Sequence, residues 1–266
     1  MAYILHYTTY GQGTPIILLH GFPFHSAIWK DQATALSDSF QIITPDLRGF
    51  GASLASEGIY EMEHLARDVL NLMDALRIEK AAILGHSMGG YVTLALWKLA
   101  AERFLAIGLV ATHAWADTEQ VREGREATIS AVMERGAPAI VEAMLPRLFA
   151  SHQDPSEAGV ETARSIMLSA RPVPIMNALR GMMRRPDSSA LLAHINVPAL
   201  IITGDEDAIL PPSRAEDMAK LLPNATLVTI EQAGHMPMLE QPGATTLAIR
   251  NFMQEVKRAQ GTETSA

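Results

Sequence analysis

The chain has 266 residues, of which 48% are hydrophobic and 19% are charged, and its formal net charge is −8. This balance is typical of a folded globular protein of one large domain or two small ones, not of a disordered chain. The acidic charge argues against a nucleic-acid-binding surface. The chain contains no cysteine, which excludes disulfides, cysteine nucleophiles and thiolate metal sites.

The N-terminal residues and the hydrophobic runs bear on the location of the protein. Residues Met1–Tyr10 lack a cationic stretch followed by an apolar run, so no signal peptide is predicted. No apolar stretch reaches the roughly 18 residues of a membrane helix. We therefore expect a cytoplasmic protein with no membrane and no nucleic-acid partner.

The N-terminal half alternates short aliphatic runs with segments of helical spacing. The aliphatic runs predict an edge strand and four buried strands, at Ala2–Tyr7, Pro15–Leu19, Phe40–Thr44, Ala81–Leu84 and Leu105–Ala111. Helical spacing lies between them, at His25–Ser37, Glu61–Leu76 and Met88–Ala101. The alternation predicts an α/β fold in which a mostly parallel sheet is flanked by helices.

The pattern changes between His113 and Leu192, where the apolar positions have helical spacing and prolines interrupt them. Strand patterns then return at Ala199–Thr203 and Thr226–Ile230, and helical patterns follow at Pro212–Leu221 and Gln241–Lys257. We expect residues 1–112 and 193–266 to form one α/β core and residues 113–192 to form an inserted helical lid. The lid would cover the carboxyl edge of the sheet, where open α/β sheets bind ligands.

A G-x-S-x-G pattern directly follows the third of the predicted buried strands, in the sequence Gly85-His86-Ser87-Met88-Gly89. A predicted helix begins within this pattern, at Met88. A serine on such a sharp strand-to-helix turn is exposed in a strained conformation, and small neighbours let other backbone pass close by. Ser87 is therefore the predicted nucleophile.

A serine nucleophile needs a base and an acid that orients the base. His235 lies in a loop after the last strand, where it can reach the sheet edge, and it is the predicted base. His113 follows an earlier strand and is expected to line the pocket. Three carboxylates, those of Asp205, Glu206 and Asp207, follow the strand at Ala199–Thr203, and spacing alone does not choose among them.

Two backbone N–H groups are candidates for an oxyanion hole. One belongs to Met88, directly after the nucleophile, and the other to Phe22, in the His20-Gly21-Phe22-Pro23 loop after the strand Pro15–Leu19. Five side chains are candidate pocket residues. They are His20, Phe24, Trp29, His86 and His113.

The order of these motifs resembles that of the α/β-hydrolase superfamily, in particular small bacterial esterases and the 3-oxoadipate enol-lactonase-like group. The motifs that carry the resemblance are His20-Gly21-Phe22-Pro23, Asp46-Leu47-Arg48-Gly49-Phe50-Gly51, Gly85-His86-Ser87-Met88-Gly89, Gly204-Asp205-Glu206-Asp207 and Gly234-His235. In that family the acid is the last residue of a G-x-x-D string, so the resemblance implies Asp207. Epoxide hydrolases and haloalkane dehalogenases are disfavoured, because they use an aspartate where Ser87 stands.

The resemblance and the motifs together predict a serine hydrolase that cleaves small carboxylic esters through an acyl-enzyme, with no metal and no organic cofactor. A lactonase, an acyltransferase, a cofactor-free perhydrolase or haloperoxidase with the same triad, and a non-catalytic receptor on this scaffold are the alternatives. Six methionines in residues 113–192 favour an apolar pocket. They are Met133, Met144, Met167, Met176, Met182 and Met183. The same span holds nine arginines and ten acidic residues, so most arginines are expected in solvated pairs and neutral esters are preferred.

Overall fold

The computed structural model describes residues 4–153 and 157–263, and it confirms the predicted α/β fold with a mostly parallel sheet. Seven strands form the sheet. They are β1 (Tyr7–Tyr10), β2 (Pro15–Leu19), β3 (Gln41–Pro45), β4 (Ala81–His86), β5 (Phe104–Val110), β6 (Ala199–Gly204) and β7 (Ala225–Ile230).

The helices follow the strands in chain order. They are α1 (Lys30–Leu36), α2 (Met62–Ala75), α3 (Met88–Ala100), α4 (Glu119–Arg135), α5 (Ala137–Leu148), α6 (Ala158–Ser169), α7 (Pro172–Arg184), α8 (Ser189–Leu192), α9 (Ser213–Leu221), α10 (Pro237–Glu240) and α11 (Pro242–Glu263). Short 3₁₀ turns at Ser26–Trp29 and Ala101–Arg103 precede α1 and β5.

The strand order is β1-β3-β2-β4-β5-β6-β7, and every pair is parallel except β1 with β3. The chain moves outward from β2 to β3 and then returns to β4 on the other side of β2. Strand order therefore reverses between β2 and β4, and a crevice for ligands is expected at their carboxyl ends. Leu19 at the end of β2 pairs with Gly85 near the end of β4, so the loops after these strands lie side by side.

The central strands are apolar and fully buried, as parallel strands covered on both faces must be. Ile16–Leu19 and Ala81–Leu84 are 0% exposed. Helices α2 and α3 pack against each other, as do α1 and α11, and their apolar faces complete one continuous core.

Five helices, α4–α8, lie between β5 and β6, where the sequence predicts helices only. Helix α4 packs on α5 and α7, and α5 packs on α6. Within residues 113–153 and 157–192 no strand is present. The division of the chain into a core and a lid stays a prediction, and we refer to α4–α8 as the inserted helices.

The predicted edge strand is displaced along the chain. Residues 4–6 are not in a strand, residues 1–3 lie outside the described residues, and β1 spans Tyr7–Tyr10. The antiparallel ladder ends at the pair of Tyr7 with Pro45. Beyond it the Asp46 N–H still donates to the His6 carbonyl at 2.9 Å, but the His6 N–H donates to the Ser53 hydroxyl at 2.9 Å instead of continuing the ladder. Among the described residues, no helix combines the length and the apolar character needed to cross a membrane.

Candidate active site

Ser87 occupies a sharp turn between β4 and α3. Its backbone angles are φ 50° and ψ −115°, a conformation that a residue with a side chain adopts only when its surroundings impose it. The Ser87 carbonyl accepts hydrogen bonds from the Gly90 N–H at 2.9 Å and the Thr112 hydroxyl at 2.8 Å. A Cβ atom at Gly89 would lie 2.6 Å from the Leu19 carbonyl oxygen, so this turn requires glycine there.

His235 and Asp207 form a buried pair. The two atoms His235 Nδ1 and Asp207 Oδ2 are 2.8 Å apart, and the other carboxylate oxygen accepts the N–H groups of Ile209 and Leu210, each at 2.8 Å. Burial alone would raise the pKa of Asp207, but the contact with His235 and the backbone hydrogen bonds outweigh it and lower the pKa. An ionised Asp207 accepts the proton on Nδ1, which leaves Nε2 of a neutral His235 free of a proton.

The two carboxylates next to Asp207 in sequence have other partners. Asp205 accepts the Ala233 N–H at 3.2 Å, and Glu206 accepts the Ser151 hydroxyl at 3.0 Å. The structure thus brings Asp207 to His235, and it directs Asp205 to the backbone of the loop that carries His235.

Ser87, His235 and Phe22 line one cavity of about 830 Å³, within the usual size range for small-molecule sites. The inserted helices supply much of its wall, including Ile140, Met144, Leu179 and Met182. Of the six methionines that the sequence suggests for the pocket, only Met144 and Met182 belong to this wall. Met133 is 68% exposed and Met167 is buried in the core.

The loop after β2 brings a second backbone N–H group to this cavity. The Gly21 carbonyl accepts the Phe24 N–H and the His20 Nδ1–H, both at 2.9 Å, which fixes the loop, and the Phe22–Pro23 peptide is cis. In the part of the chain that the structure describes, the N–H groups of Phe22 and Met88 donate to no other residue. Phe22 lines the cavity and Met88 directly follows Ser87, and neither N–H group is committed to an acceptor within the described residues.

Four of the five candidate pocket residues do not line the cavity, so the prediction is corrected for them. His20, Phe24, Trp29 and His86 are 0% exposed. The rings of Phe24 and Trp29 pack near that of His86, and the ring of His20 packs against Phe50. Their position follows from the close approach of the loop after β2 to the end of β4, which turns these side chains into the core.

The two buried histidines have structural partners instead. His86 Nε2–H donates to the His235 carbonyl at 2.9 Å, and His20 Nε2 accepts the Leu47 N–H at 2.8 Å. Burial, with smaller effects from neighbouring groups, lowers the pKa of His20 to about 4 and that of His86 to about 3. Both side chains are neutral at pH 7 and join the loops that carry the site.

His113 does line the cavity, beside Tyr91 and Trp115. Its Nε2 accepts a hydrogen bond from Arg185 at 3.3 Å, and Arg185 also donates to Asp117 at 2.6 Å. Burial, and then the charge of Arg185, lower the pKa of His113 to about 4. His113 is thus a neutral residue of the cavity wall, and it is hydrogen-bonded to the Arg185–Asp117 ion pair. The sequence did not predict this ion pair.

Glu240 is a second residue that sequence reasoning missed. Its carboxylate accepts the N–H groups of Gly234 at 2.9 Å and Met236 at 3.1 Å, on either side of His235, and that of Ala150 at 2.7 Å. It therefore joins the His235 loop to the end of α5. The only signal in the sequence is a single acid in the otherwise apolar segment Pro237–Glu240.

Comparison with known proteins places this site in a family. The profile of the family described as alpha/beta hydrolase fold matches residues 14–242. A thermophilic esterase from Thermogutta terrifontis, solved with malate bound, is 38% identical, with a TM-score of 0.92, over 95% of this chain and 93% of that one. The 3-oxoadipate enol-lactonase 1 of Acinetobacter baylyi is 30% identical over 86% of this chain and 85% of its own length.

A third relative is longer than this protein. The dihydrolipoyllysine-residue acetyltransferase component of the acetoin cleaving system of Pseudomonas putida is 30% identical over 86% of this chain, but the match spans only 60% of that relative. The family match covers most of the chain, and the fold and the order of the motifs agree with it. The chain belongs to the α/β-hydrolase family.

Proposed function

We propose that the protein is a serine hydrolase that cleaves carboxylic esters through an acyl-enzyme. One observation carries the proposal: Ser87, on its strained turn, shares a cavity with a His235 whose Nδ1 is bound by Asp207. A nucleophile, a base and a group that orients the base are the parts that acyl transfer to serine requires.

In the first half of the reaction, neutral His235 accepts the Ser87 proton at Nε2 while the serine oxygen attacks the acyl carbonyl. Asp207 holds the imidazole in the correct tautomer and stabilises its protonated form. The N–H groups of Phe22 and Met88 bind the oxyanion, and the loss of one such donor typically raises the barrier by about 2.7–4 kcal/mol. His235 then gives its proton to the departing alcohol.

In the second half, water attacks the acyl-enzyme, His235 takes the proton of the water, and the carboxylic acid leaves as Ser87 recovers its proton. The buried hydrogen bond between His235 Nδ1 and Asp207 keeps the histidine oriented in both halves. The proposal requires no metal or organic cofactor in either half. A lactone would follow the same steps, with the leaving alcohol still tethered to the acyl group, and the enol-lactonase relative makes this the second candidate.

The apolar wall formed by residues such as Ile140, Met144 and Leu179 supports a small substrate with aliphatic parts. The test is a profile of kcat/KM across 4-nitrophenyl esters from acetate to palmitate and a set of lactones, with Ser87→Ala as the matched control. We expect short and medium esters to be preferred and the variant to be inactive while folded. Equal turnover of the esters by wild type and folded Ser87→Ala would refute the proposal.

A further inference from the structure

Two arginines line the Ser87 cavity without a carboxylate partner. Arg147, on α5, donates to the Ala208 carbonyl at 3.1 Å. Arg214, on α9, lies with its guanidinium carbon 5.1 Å from the centre of the Trp115 ring. Among the side chains that the structure describes, no acid lies within ion-pair distance of either arginine. The guanidinium group of each arginine therefore has N–H donors that are not bound to a carboxylate of the described residues.

The acids in the cavity wall are already engaged. Asp117 binds both Arg125, at 2.7 Å, and Arg185, at 2.6 Å. Asp187 accepts the N–H of Ser189 at 2.8 Å. Three arginines, Arg125, Arg147 and Arg214, line the cavity together with the two acids, and Arg185 reaches Asp117 from outside the lining. The lining therefore carries one more positive than negative charge, in a chain whose net charge is −8.

Most of the other arginines in residues 113–192 have an acid partner. Four of them are paired with acids on the surface, as the composition leads one to expect. The pairs are Arg122–Glu119, Arg135–Glu142, Arg164–Glu161 and Arg184–Glu61. Arg171 and Arg180 also have no acid partner among the described residues, but neither lines this cavity. Arg147 and Arg214 are thus the lining arginines that present an unpaired guanidinium group to the cavity.

We propose that the preferred substrate is an ester that carries a free carboxylate, which Arg147 and Arg214 bind while the ester group lies at Ser87. The inference rests on the proposed function and reverses the sequence-based preference for neutral esters. Guanidinium groups bind carboxylates through charge-assisted hydrogen bonds, often two at once. A cleft with walls of low dielectric also concentrates the field of its charges and attracts substrates of the opposite sign.

The test compares each anionic ester with its own methyl ester, so that only the charge changes. One pair is 4-nitrophenyl hydrogen adipate and 4-nitrophenyl methyl adipate, with the carboxylate in the acyl half. The other is 4-acetoxybenzoate and methyl 4-acetoxybenzoate, with the carboxylate in the alcohol half. We expect kcat/KM to be at least about tenfold higher for the anion in one pair, as one charged hydrogen bond supplies. The preference is expected to shrink at high salt.

Arg147→Gln and Arg214→Gln test the assignment of the residues. Each is expected to lower the ratio of kcat/KM for anion and neutral ester about tenfold in the preferred pair, and Arg214→Lys is expected to restore part of it. Arg122→Gln is the matched control, because it removes one positive charge from α4 without altering the cavity wall. It is expected to keep the wild-type ratio.

The outcomes separate this inference from the proposed function. Ser87-dependent turnover of the neutral esters with no preference for either anion would overturn the inference and leave the proposed function intact. A preference for the anion that survives both arginine variants, or that Arg122→Gln lowers equally, would overturn the assignment to Arg147 and Arg214. No Ser87-dependent turnover of any of the four esters would overturn both proposals.

Discussion

Two buried histidines beneath the serine turn are expected to make the protein less stable on mild acidification. Burial lowers the pKa of His20 to about 4 and that of His86 to about 3, from an ordinary value of 6.5. Between pH 6.5 and pH 4 the unfolded chain therefore binds more protons than the folded one, so the free energy of unfolding falls as the pH falls. Between pH 7 and pH 5, each histidine lowers the free energy of unfolding by about 2 kcal/mol.

The two losses together, about 4 kcal/mol, are a large part of the roughly 5–15 kcal/mol that stabilises a typical domain. Other groups oppose them. Burial raises the pKa of Asp68 and of Glu240, so these acids contribute stability that grows as the pH falls. A comparison of variants removes this background, because both acids are retained in every protein that is compared.

The assay is urea unfolding at pH 7 and pH 5 for wild type, His86→Asn and His20→Asn. Between pH 7 and pH 5, the free energy of unfolding of each variant is expected to fall by about 2 kcal/mol less than that of wild type, because one titrating group has been removed. His64→Asn is the matched control, since His64 is exposed on α2, and it is expected to lose as much as wild type. Equal losses in wild type and both buried-site variants would refute the reasoning.

Substitutions at Asp207 and Glu240 test the groups around His235. Asp207→Asn is expected to lower kcat by about 10⁴-fold, because an amide cannot hold the same imidazole tautomer. Asp205→Asn affects only a hydrogen bond to the Ala233 N–H and is expected to lower kcat far less. A larger fall in kcat for Asp205→Asn than for Asp207→Asn would contradict the geometry. Glu240→Ala is expected to reduce stability by about 1–3 kcal/mol, because buried N–H groups on both sides of His235 lose their acceptor. Glu240→Ala should also lower kcat more than it changes KM, and Glu240→Gln should recover part of the stability and part of kcat. A loss of stability with unchanged kcat would show that Glu240 does not position His235.

The sequence predicts the fold well because the strands of this protein are short, aliphatic and buried on both faces. Such runs are visible without any knowledge of their partners, and the serine turn is marked by its local glycine spacing. The displaced edge strand shows the limit of this approach. The ends of β1 depend on distant residues that pair with it, and the Ser53 hydroxyl accepts the His6 N–H that would otherwise continue the ladder.

The direction of a side chain in a loop is harder to predict than its place along the chain. His20, Phe24, Trp29 and His86 are all close to the serine in sequence or across the sheet, yet they face the core beneath it. A loop residue has no periodicity that would reveal which side it faces. The close packing of the two loops decides it.

Ion pairs between distant residues are equally invisible in composition. The count of acids and arginines predicts solvated pairs, and this holds for Arg135 and Arg164 on the surface. It does not hold for Arg147, because the fold places it at a cavity where the nearby acids already have other partners. Arg214 lies outside the span that was counted, and the fold brings it to the same cavity. Their role depends on distances that only the fold supplies.

The identity of the nucleophile is the central claim, and covalent labelling tests it most directly. A fluorophosphonate reacts with a serine that a neighbouring base activates, and intact-mass analysis counts the adducts. We expect one adduct per chain, mapped by peptide sequencing to Ser87, and none in a Ser87→Ala protein with an unchanged melting temperature. An unlabelled wild-type protein, or an adduct on another residue that persists in Ser87→Ala, would contradict the account.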